Sequence, residues 1–265
     1  MPNFEDLPPE EQARIRALGD ELSKVPMTYA TPIYFADPPG FADFPNINNG
    51  TGSLIAVGDK QFCITNWHVL DAYRARRCKE PKIIFQAGNL RLDPEDALIS
   101  ESQYYDLAVF DFSRWGAEEL GSFGEVPTQF LKIFSWPPDL RTKGDFVMFG
   151  GYPGYWREVT GPAEILFDTL SSGSTEVIES NEKRLICQIQ IEKCLVHRAE
   201  PDREGPGDLS GLSGGPVIRE TRSASGIITF EFVGIIYEYG DGFDCLFIRP
   251  ASLISEDGRI REPNG

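Results

Sequence analysis

Histidine and basic residues are scarce in this chain, and this scarcity excludes several classes of protein. Its 265 residues include two histidines, and 25 Lys and Arg stand against 41 Asp and Glu, a formal net charge of −16. Such a surface repels phosphate backbones, so we expect no nucleic-acid partner. It also offers no basic patch to an anionic membrane surface, so we expect no membrane partner.

Long apolar runs are absent from the sequence. No stretch approaches the ~18 consecutive apolar residues that a membrane-spanning helix needs. Residues 1–24 are acidic and contain no apolar core of the signal-peptide type. These features together predict a cytoplasmic protein.

Cysteine occurs five times, without the close pairs that are typical of zinc sites. The number is odd, and most of the cysteines lie in apolar, strand-like runs, where a free thiol behaves as a small hydrophobic group. We therefore expect reduced core thiols, no metal and no cofactor. The five are Cys63, Cys78, Cys187, Cys194 and Cys245.

The richest local pattern is the glycine-dense stretch at residues 208–216, Asp-Leu-Ser-Gly-Leu-Ser-Gly-Gly-Pro, which an apolar run follows. Glycine permits a sharp turn and the close approach of another backbone. A nucleophilic serine needs such a turn, with backbone N–H groups that face the oxygen on which charge develops. Ser213 is thus a candidate nucleophile, and the amides of Gly211 and Ser213 are a candidate oxyanion hole. The alternative is an ordinary glycine-rich turn.

The order of the candidate residues along the chain distinguishes between the known classes of serine hydrolase. His68 ends an apolar strand-like run, Asp106 begins another, and both precede Ser213. An α/β-hydrolase needs its histidine after the serine, and here no histidine follows Ser213. The subtilisin order places Asp before His, and nothing upstream of His68 resembles its signatures. The order His, Asp, Ser is that of the chymotrypsin type.

Four segments together resemble the trypsin-like serine peptidases, and bacterial and intracellular members more than secreted digestive ones. They are residues 65–70 (Thr-Asn-Trp-His-Val-Leu), 106–109 (Asp-Leu-Ala-Val), 211–216 (Gly-Leu-Ser-Gly-Gly-Pro) and 232–236 (Phe-Val-Gly-Ile-Ile). The resemblance covers about residues 29–252. It implies an all-β fold of two six-stranded antiparallel Greek-key β-barrels, here with an N-terminal helix.

The pattern of short apolar runs and turn residues agrees with a barrel or sandwich. We expect five segments: an N-terminal acidic amphipathic helix (1–28), a first barrel with His68 and Asp106 (29–112), an inter-barrel crossing (113–142), a second barrel with Ser213 (143–252) and a polar tail (253–265). The helix is expected to have about four turns. It is interpreted either as packed on the body of the protein or as a docking element.

The resemblance implies a serine endopeptidase that acts on protein or peptide substrates through an acyl-enzyme. In this mechanism Ser213 attacks, His68 is the general base and then the general acid, and Asp106 orients His68. Asp111 is a rival for Asp106, but five residues along a strand place it on the opposite face. His197 is a rival base, which we interpret as a surface or pocket-wall residue.

Specificity is expected from residues just before the nucleophile and on the strand after it. Gly207 occupies the position at which trypsin has an aspartate, so the arginine- and lysine-specific pattern is not reproduced. Asp208, one residue later, is interpreted either as a partner for a basic side chain or as a solvated carboxylate. The candidate substrate-binding residues are Gly207, Asp208, Ser210, Tyr237, Glu238 and Tyr239.

Signals of zymogen activation are missing. In secreted zymogens of the family that the chain resembles, cleavage frees an N-terminus that pairs with an aspartate just before the nucleophile. Leu212 occupies that position here and cannot form such an ion pair, so we expect the oxyanion loop to be set without cleavage. We hypothesise narrow substrate choice or a regulatory protein partner as the restraint. Two other functions stay open: a pseudo-peptidase scaffold that binds a peptide in the same cleft, and an esterase or amidase on the same fold.

Overall fold

Strands make up most of the regular structure, and one long helix precedes them. The computed structural model describes residues 6–38, 46–122, 126–139, 143–161, 164–197, 209–222 and 225–261.

The first half of the chain forms a curled sheet. Its strands are β1 (Ala30–Ala36), β2 (Ile47–Val57), β3 (Lys60–Thr65), β4 (Ile84–Ala87), β5 (Leu90–Leu92), β6 (Leu98–Ser102), β7 (Leu107–Asp111) and β8 (Leu131–Ile133). The order is β5-β4-β1-β2-β3-β7-β6, and β8 pairs in parallel with β2. Within the described residues β5 and β6 do not pair with each other. The sheet is therefore a half-barrel, whereas the sequence predicted a closed barrel.

The second half forms a closed antiparallel barrel of six strands. The strands are β9 (Phe146–Gly151), β12 (Thr169–Ser180), β13 (Leu185–Gln188), β15 (Pro216–Arg222), β16 (Ile228–Gly240) and β17 (Cys245–Pro250), with β14 (Leu195–His197) attached to β12. The order is β13-β17-β16-β15-β9-β12, and pairing of β12 with β13 closes the ring. A separate hairpin, β10 (Arg157–Gly161) and β11 (Glu164–Phe167), follows β9.

Strand β2 shows how the segment between the two sheets contributes to the first one. Over Ile47–Ser53, β2 pairs with β1. Beyond that point β8 takes the place of β1, beside Ile55, Ala56 and Val57. The predicted crossing at residues 113–142 therefore includes a strand of the first sheet, which was not predicted because β8 is only three residues long.

Four helices accompany the sheets: α1 (Pro9–Thr28), α2 (Trp67–Arg77), α3 (Pro94–Ala97) and α4 (Ala117–Leu120). At 20 residues, α1 is longer than the four predicted turns, because it continues through Pro26. Its C-terminal part packs closely on the barrel: a Cβ added to Gly150 would lie 2.5 Å from the Met27 sulfur, and one added to Gly173 would lie 2.9 Å from the Ser23 nitrogen. The helix thus packs on the body of the protein.

The two sheets share an apolar core. Ile55, Ile64 and Val109 of the first sheet lie in one buried cluster with Met148, Ile218 and Phe232 of the second. Burial of this apolar surface removes it from water and holds the sheets together. Each half has a further buried cluster: one includes Leu54 and Phe110 of the first sheet, and the other includes Phe149 and Val217 of the second.

All five cysteines are unpaired, as expected. Cys63, Cys187 and Cys245 are buried, whereas Cys78 is exposed and is not the core thiol that the sequence predicted. Among the described residues, no helix has the length and apolar character needed to cross a membrane.

Candidate active site

His68 and Asp106 contact each other twice. His68 lies in the first turn of α2, directly after β3, and Asp106 ends the turn before β7. The Asp106 Oδ2 atom is 2.8 Å from His68 Nδ1, and its Oδ1 atom accepts a hydrogen bond from the His68 backbone amide at 2.9 Å. A carboxylate can only accept, so Nδ1 carries the proton and Nε2 presents a lone pair.

Asn66 holds the backbone of Asp106 in an unusual conformation. Asp106 has φ 54°, in the left-handed region that non-glycine residues seldom occupy. The Asn66 side-chain amide donates to the Asp106 carbonyl oxygen at 2.8 Å, and the Asp106 amide closes a turn with Gln103. Asn66 is fully buried, so this contact is fixed. No role was predicted for Asn66 from the sequence, although it lies two residues before His68.

The loop that carries Ser213 is tied to both sheets through its backbone. The Ser213 carbonyl oxygen accepts a hydrogen bond from Thr51 N of β2 at 2.8 Å, and Gly214 N donates to Ile236 O of β16 at 2.8 Å. The hydroxyl of Ser53 donates to Gly214 O at 2.7 Å. Ser213 is therefore fixed between the half-barrel and the barrel.

Gly50 brings the serine and histidine segments to the same point. A Cβ added to Gly50 would lie 3.4 Å from the Ser213 carbonyl oxygen and 2.8 Å from a Val69 methyl carbon, and Val69 directly follows His68. The segments that carry the three predicted residues therefore lie close together. Within the described residues the Ser213 hydroxyl makes no hydrogen bond, and so none to His68. Such bonds are often long before substrate binds.

The two amides predicted as an oxyanion hole have no acceptor among the described residues. Leu212 N, Gly214 N and Gly215 N each donate to a backbone carbonyl. Gly211 N and Ser213 N donate to none in the part of the chain that the structure describes. Gly211 has φ 100°, and its carbonyl oxygen accepts from the Thr51 hydroxyl at 2.7 Å. The carbonyl is thus occupied, whereas the amide has no acceptor within the part of the chain that the structure describes.

The candidate specificity residues are only partly described. Gly207 and Asp208 lie outside the described residues, and Ser210 is exposed. The Arg249 guanidinium lies over the Tyr237 ring, 3.8 Å from its centroid, and the Tyr239 hydroxyl donates to Asp244 at 3.0 Å. Burial raises the pKa of Tyr237, the positive charge of Arg249 opposes this effect, and the negative charge of Glu238 adds to it.

The rival residues lie elsewhere or are not described. Asp111 ends β7, is exposed, and accepts from the Ser113 amide at 2.9 Å. The backbone of His197 pairs with Thr169 at the end of β14, but its side chain lies outside the described residues. No group of three or more His, Cys, Asp or Glu within the described residues is placed to hold a metal ion.

A cavity of about 690 Å³ lies away from these residues, between α1, β12 and residues 188–195. A peptide substrate binds across a surface groove and needs no enclosed pocket.

No protein-family model matches this chain, and no curated protein matches it. The function of this chain is therefore inferred from its own residues and their arrangement.

Proposed function

We propose that this chain is a serine endopeptidase of the trypsin-like type, with Ser213, His68 and Asp106 as its catalytic residues. The observation that carries the proposal is the double contact between Asp106 and His68, beside a loop (residues 209–215, the serine loop) in which the amides of Gly211 and Ser213 have no acceptor among the described residues. On this proposal the half-barrel and the barrel correspond to the two Greek-key barrels of that family, and the substrate is a protein or peptide.

The reaction proceeds in two halves. The Ser213 oxygen forms a bond to the substrate carbonyl carbon as its proton passes to His68 Nε2. The negative charge that develops on the carbonyl oxygen is stabilised by the amides of Gly211 and Ser213. The carbon–nitrogen bond then breaks, and the proton on His68 passes to the departing amine. Water attacks the acyl-enzyme with His68 again as the base, which releases the acid and restores the Ser213 hydroxyl.

The geometry supports these roles because contacts within the protein hold His68 and Asp106 in the orientation that each role needs. The carboxylate of Asp106 fixes the tautomer of His68 and stabilises its charged form. Both are placed by backbone contacts, so little entropy is lost when substrate binds. The Ser213 hydroxyl is not sealed from solvent, so a substrate can reach it.

A fluorophosphonate probe on the full chain tests the proposal, because it reacts only with an activated serine. We expect one phosphonate on Ser213 by peptide mass spectrometry, none on Ser213→Ala, and unchanged labelling of Ser174→Ala, which alters an exposed serine on β12. A peptide library then identifies the cleaved bond.

Absence of labelling on folded wild-type protein would overturn the proposal and favour a peptide-binding scaffold. Labelling with hydrolysis of esters but of no peptide would also overturn it, in favour of an esterase.

A further inference from the structure

Arg157 is a half-buried cation that has no acidic partner among the described residues. It begins β10, and burial lowers the pKa of its guanidinium. Within the described residues its one hydrogen bond runs from Nη1 to the side-chain oxygen of Asn49, at 2.6 Å. Most arginines in this acidic chain that bond to a side chain, such as Arg74 and Arg219, bond to carboxylates. Arg157 thus directs a partly desolvated charge at a neutral amide.

Asn49 connects Arg157 to the serine loop. Its amide nitrogen donates to Tyr152 O at 2.9 Å. A Cβ added to Gly211 would lie 2.7 Å from that nitrogen and 2.6 Å from Tyr152 O. Asn49 and the Tyr152 carbonyl therefore form the surface on which Gly211 rests.

The turn between β9 and β10 also contacts the serine loop. Gly154 N donates to Ser210 O at 2.6 Å. A Cβ added to Gly154 would lie 2.7 Å from the Asn49 side-chain oxygen and 3.0 Å from Arg157 Nη1. Gly154 therefore lies between the Arg157–Asn49 pair and the residue that precedes Gly211.

The serine loop has no charged side chain of its own that could take the place of these contacts. Residues 209–215 are Leu, Ser, Gly, Leu, Ser, Gly and Gly, so no charged side chain anchors them from within. Gly211 and Gly214 have positive φ, and glycine has more backbone freedom than other residues. Contacts with residues outside the loop must therefore fix its conformation. A charge-assisted hydrogen bond is shorter and stronger than a neutral one, which suits Arg157 to this task.

We propose that Arg157 is a positioning residue that, through Asn49, holds Gly211 with its amide free for the substrate carbonyl oxygen. This inference rests on the proposed peptidase function. It supplies a reason why the loop needs no ion pair at Leu212. Arg157 does not touch the reacting atoms; it acts by fixing the group that does.

Kinetics on three variants test the role. Arg157→Met keeps length and apolar contacts but removes the donor. Arg157→Lys keeps the charge and, because only one hydrogen bond is involved, can still donate to Asn49. Arg222→Met is the control, since Arg222 is exposed and pairs with Glu220 on the same strand.

We expect kcat of Arg157→Met to fall about 10- to 100-fold while KM stays within about twofold, because misplacement of a donor acts mainly on the transition state. The inhibition constant of a peptide trifluoromethyl ketone, whose oxyanion occupies the same amides, should rise by the factor that kcat loses. Arg157→Lys should recover much of kcat, and Arg222→Met should equal wild type. A uniform loss that follows the fraction of folded protein would overturn the proposal.

Hydrogen exchange separates this proposal from the proposed function, since it needs no activity. The amides of residues 209–215 should exchange faster in Arg157→Met than in wild type or Arg222→Met. Faster exchange in a protein that a fluorophosphonate never labels would reject the peptidase and keep Arg157 as the support of the loop. Unchanged exchange would reject that support. If Arg157→Met does not fold, Asn49→Ala must show the faster exchange, or the proposal fails.

Discussion

Gly214 lies so close to Thr51 that a Cβ on Gly214 would be 1.9 Å from the Thr51 carbonyl oxygen. The same Cβ would be 2.5 Å from the Thr65 hydroxyl oxygen, which donates to Thr51 O at 2.7 Å. The residue after the candidate nucleophile is thus pressed against β2 and β3, and β3 leads directly to His68. This close approach sets the spacing between the serine loop and the histidine helix.

Gly214→Ala should prevent or severely damage folding. The added methyl meets backbone, which cannot move aside as a flexible side chain can, and φ at Gly214 is 90°. We expect a loss of about 4 kcal/mol in the free energy of unfolding, measured by urea denaturation. Gly58→Ala is the matched control: Gly58 also has positive φ, but its Cβ would enter open space, so only about 1 kcal/mol should be lost. Equal losses in the two variants would contradict the close-approach argument.

Asp106→Asn should lower turnover about 10⁴-fold without unfolding the protein, because an amide at this position favours the wrong tautomer of His68. Asp111→Asn is the control, since Asp111 accepts one hydrogen bond from Ser113 N and an asparagine oxygen can do the same. The rate on the best peptide from the library and the melting temperature give both readouts. Equal activity of Asp106→Asn and wild type would remove Asp106 from the mechanism.

Ser213→Ala should lower turnover by about 10⁶, since members of a catalytic triad act as a unit. His68→Ala should cost a similar factor, and the double variant little more. Steady-state rates of the three variants on one substrate check this. Additive losses would show that the two residues do not act together.

Met27→Ala should destabilise the protein by about 3 kcal/mol. Met27 is 3% exposed and its sulfur contacts Gly150 of the barrel, so truncation leaves a cavity under the end of α1. Leu18→Ala, on the same helix, should change the free energy of unfolding by less than about 0.5 kcal/mol, because Leu18 is 60% exposed. Chemical denaturation of both variants compares them. Similar values would mean that α1 is not docked.

Alkaline pH should destabilise the fold partly through Cys187. Burial, and then the neighbouring Cys245, raises the pKa of Cys187 from 9.0 to about 12. Below pH 9 the thiol is protonated in both states and has no effect on stability. Between pH 9 and 12 only the unfolded state loses the proton, so stability falls, by up to about 1.4 kcal/mol per pH unit for this thiol.

The urea midpoint of wild type and of Cys187→Ala, measured between pH 8 and 11, checks this. The variant should show a shallower decline, whereas Cys78→Ala, at an exposed thiol, should follow wild type. A decline as steep in Cys187→Ala as in wild type would exclude Cys187 as the source.

Local patterns sufficed for most of the elements and for the three proposed catalytic residues. Apolar runs bounded by turn residues predicted most strands, and helical spacing predicted α1. His68, Asp106 and Ser213 were identified because each lies in a short segment with its own signal. Helix α2 has 11 residues, Trp67–Arg77. Its arginines bond to residues distant in sequence, as Arg74 does to Glu101, and these contacts stabilise the helix.

No local sequence pattern indicated the residues that hold the site in place. Asn49, Thr51 and Arg157 each look like ordinary polar residues of strands or turns. Their roles come from contacts across a large sequence separation: 108 residues between Arg157 and Asn49, and 160 between Thr51 and Gly211. A hydrogen bond of this kind depends on where two strands are placed, which a window of neighbouring residues does not contain.

The sequence by itself determined which side chains are available for chemistry, their order, and the secondary structure on which each lies, because these depend on residue type and local spacing. Only the tertiary structure decided that the first sheet stays open, that Asp106 contacts His68 twice, and that Arg157 and Asn49 support Gly211. Those outcomes follow from the packing of two sheets on a shared apolar core, which places backbones within hydrogen-bond distance and leaves some positions open only to glycine.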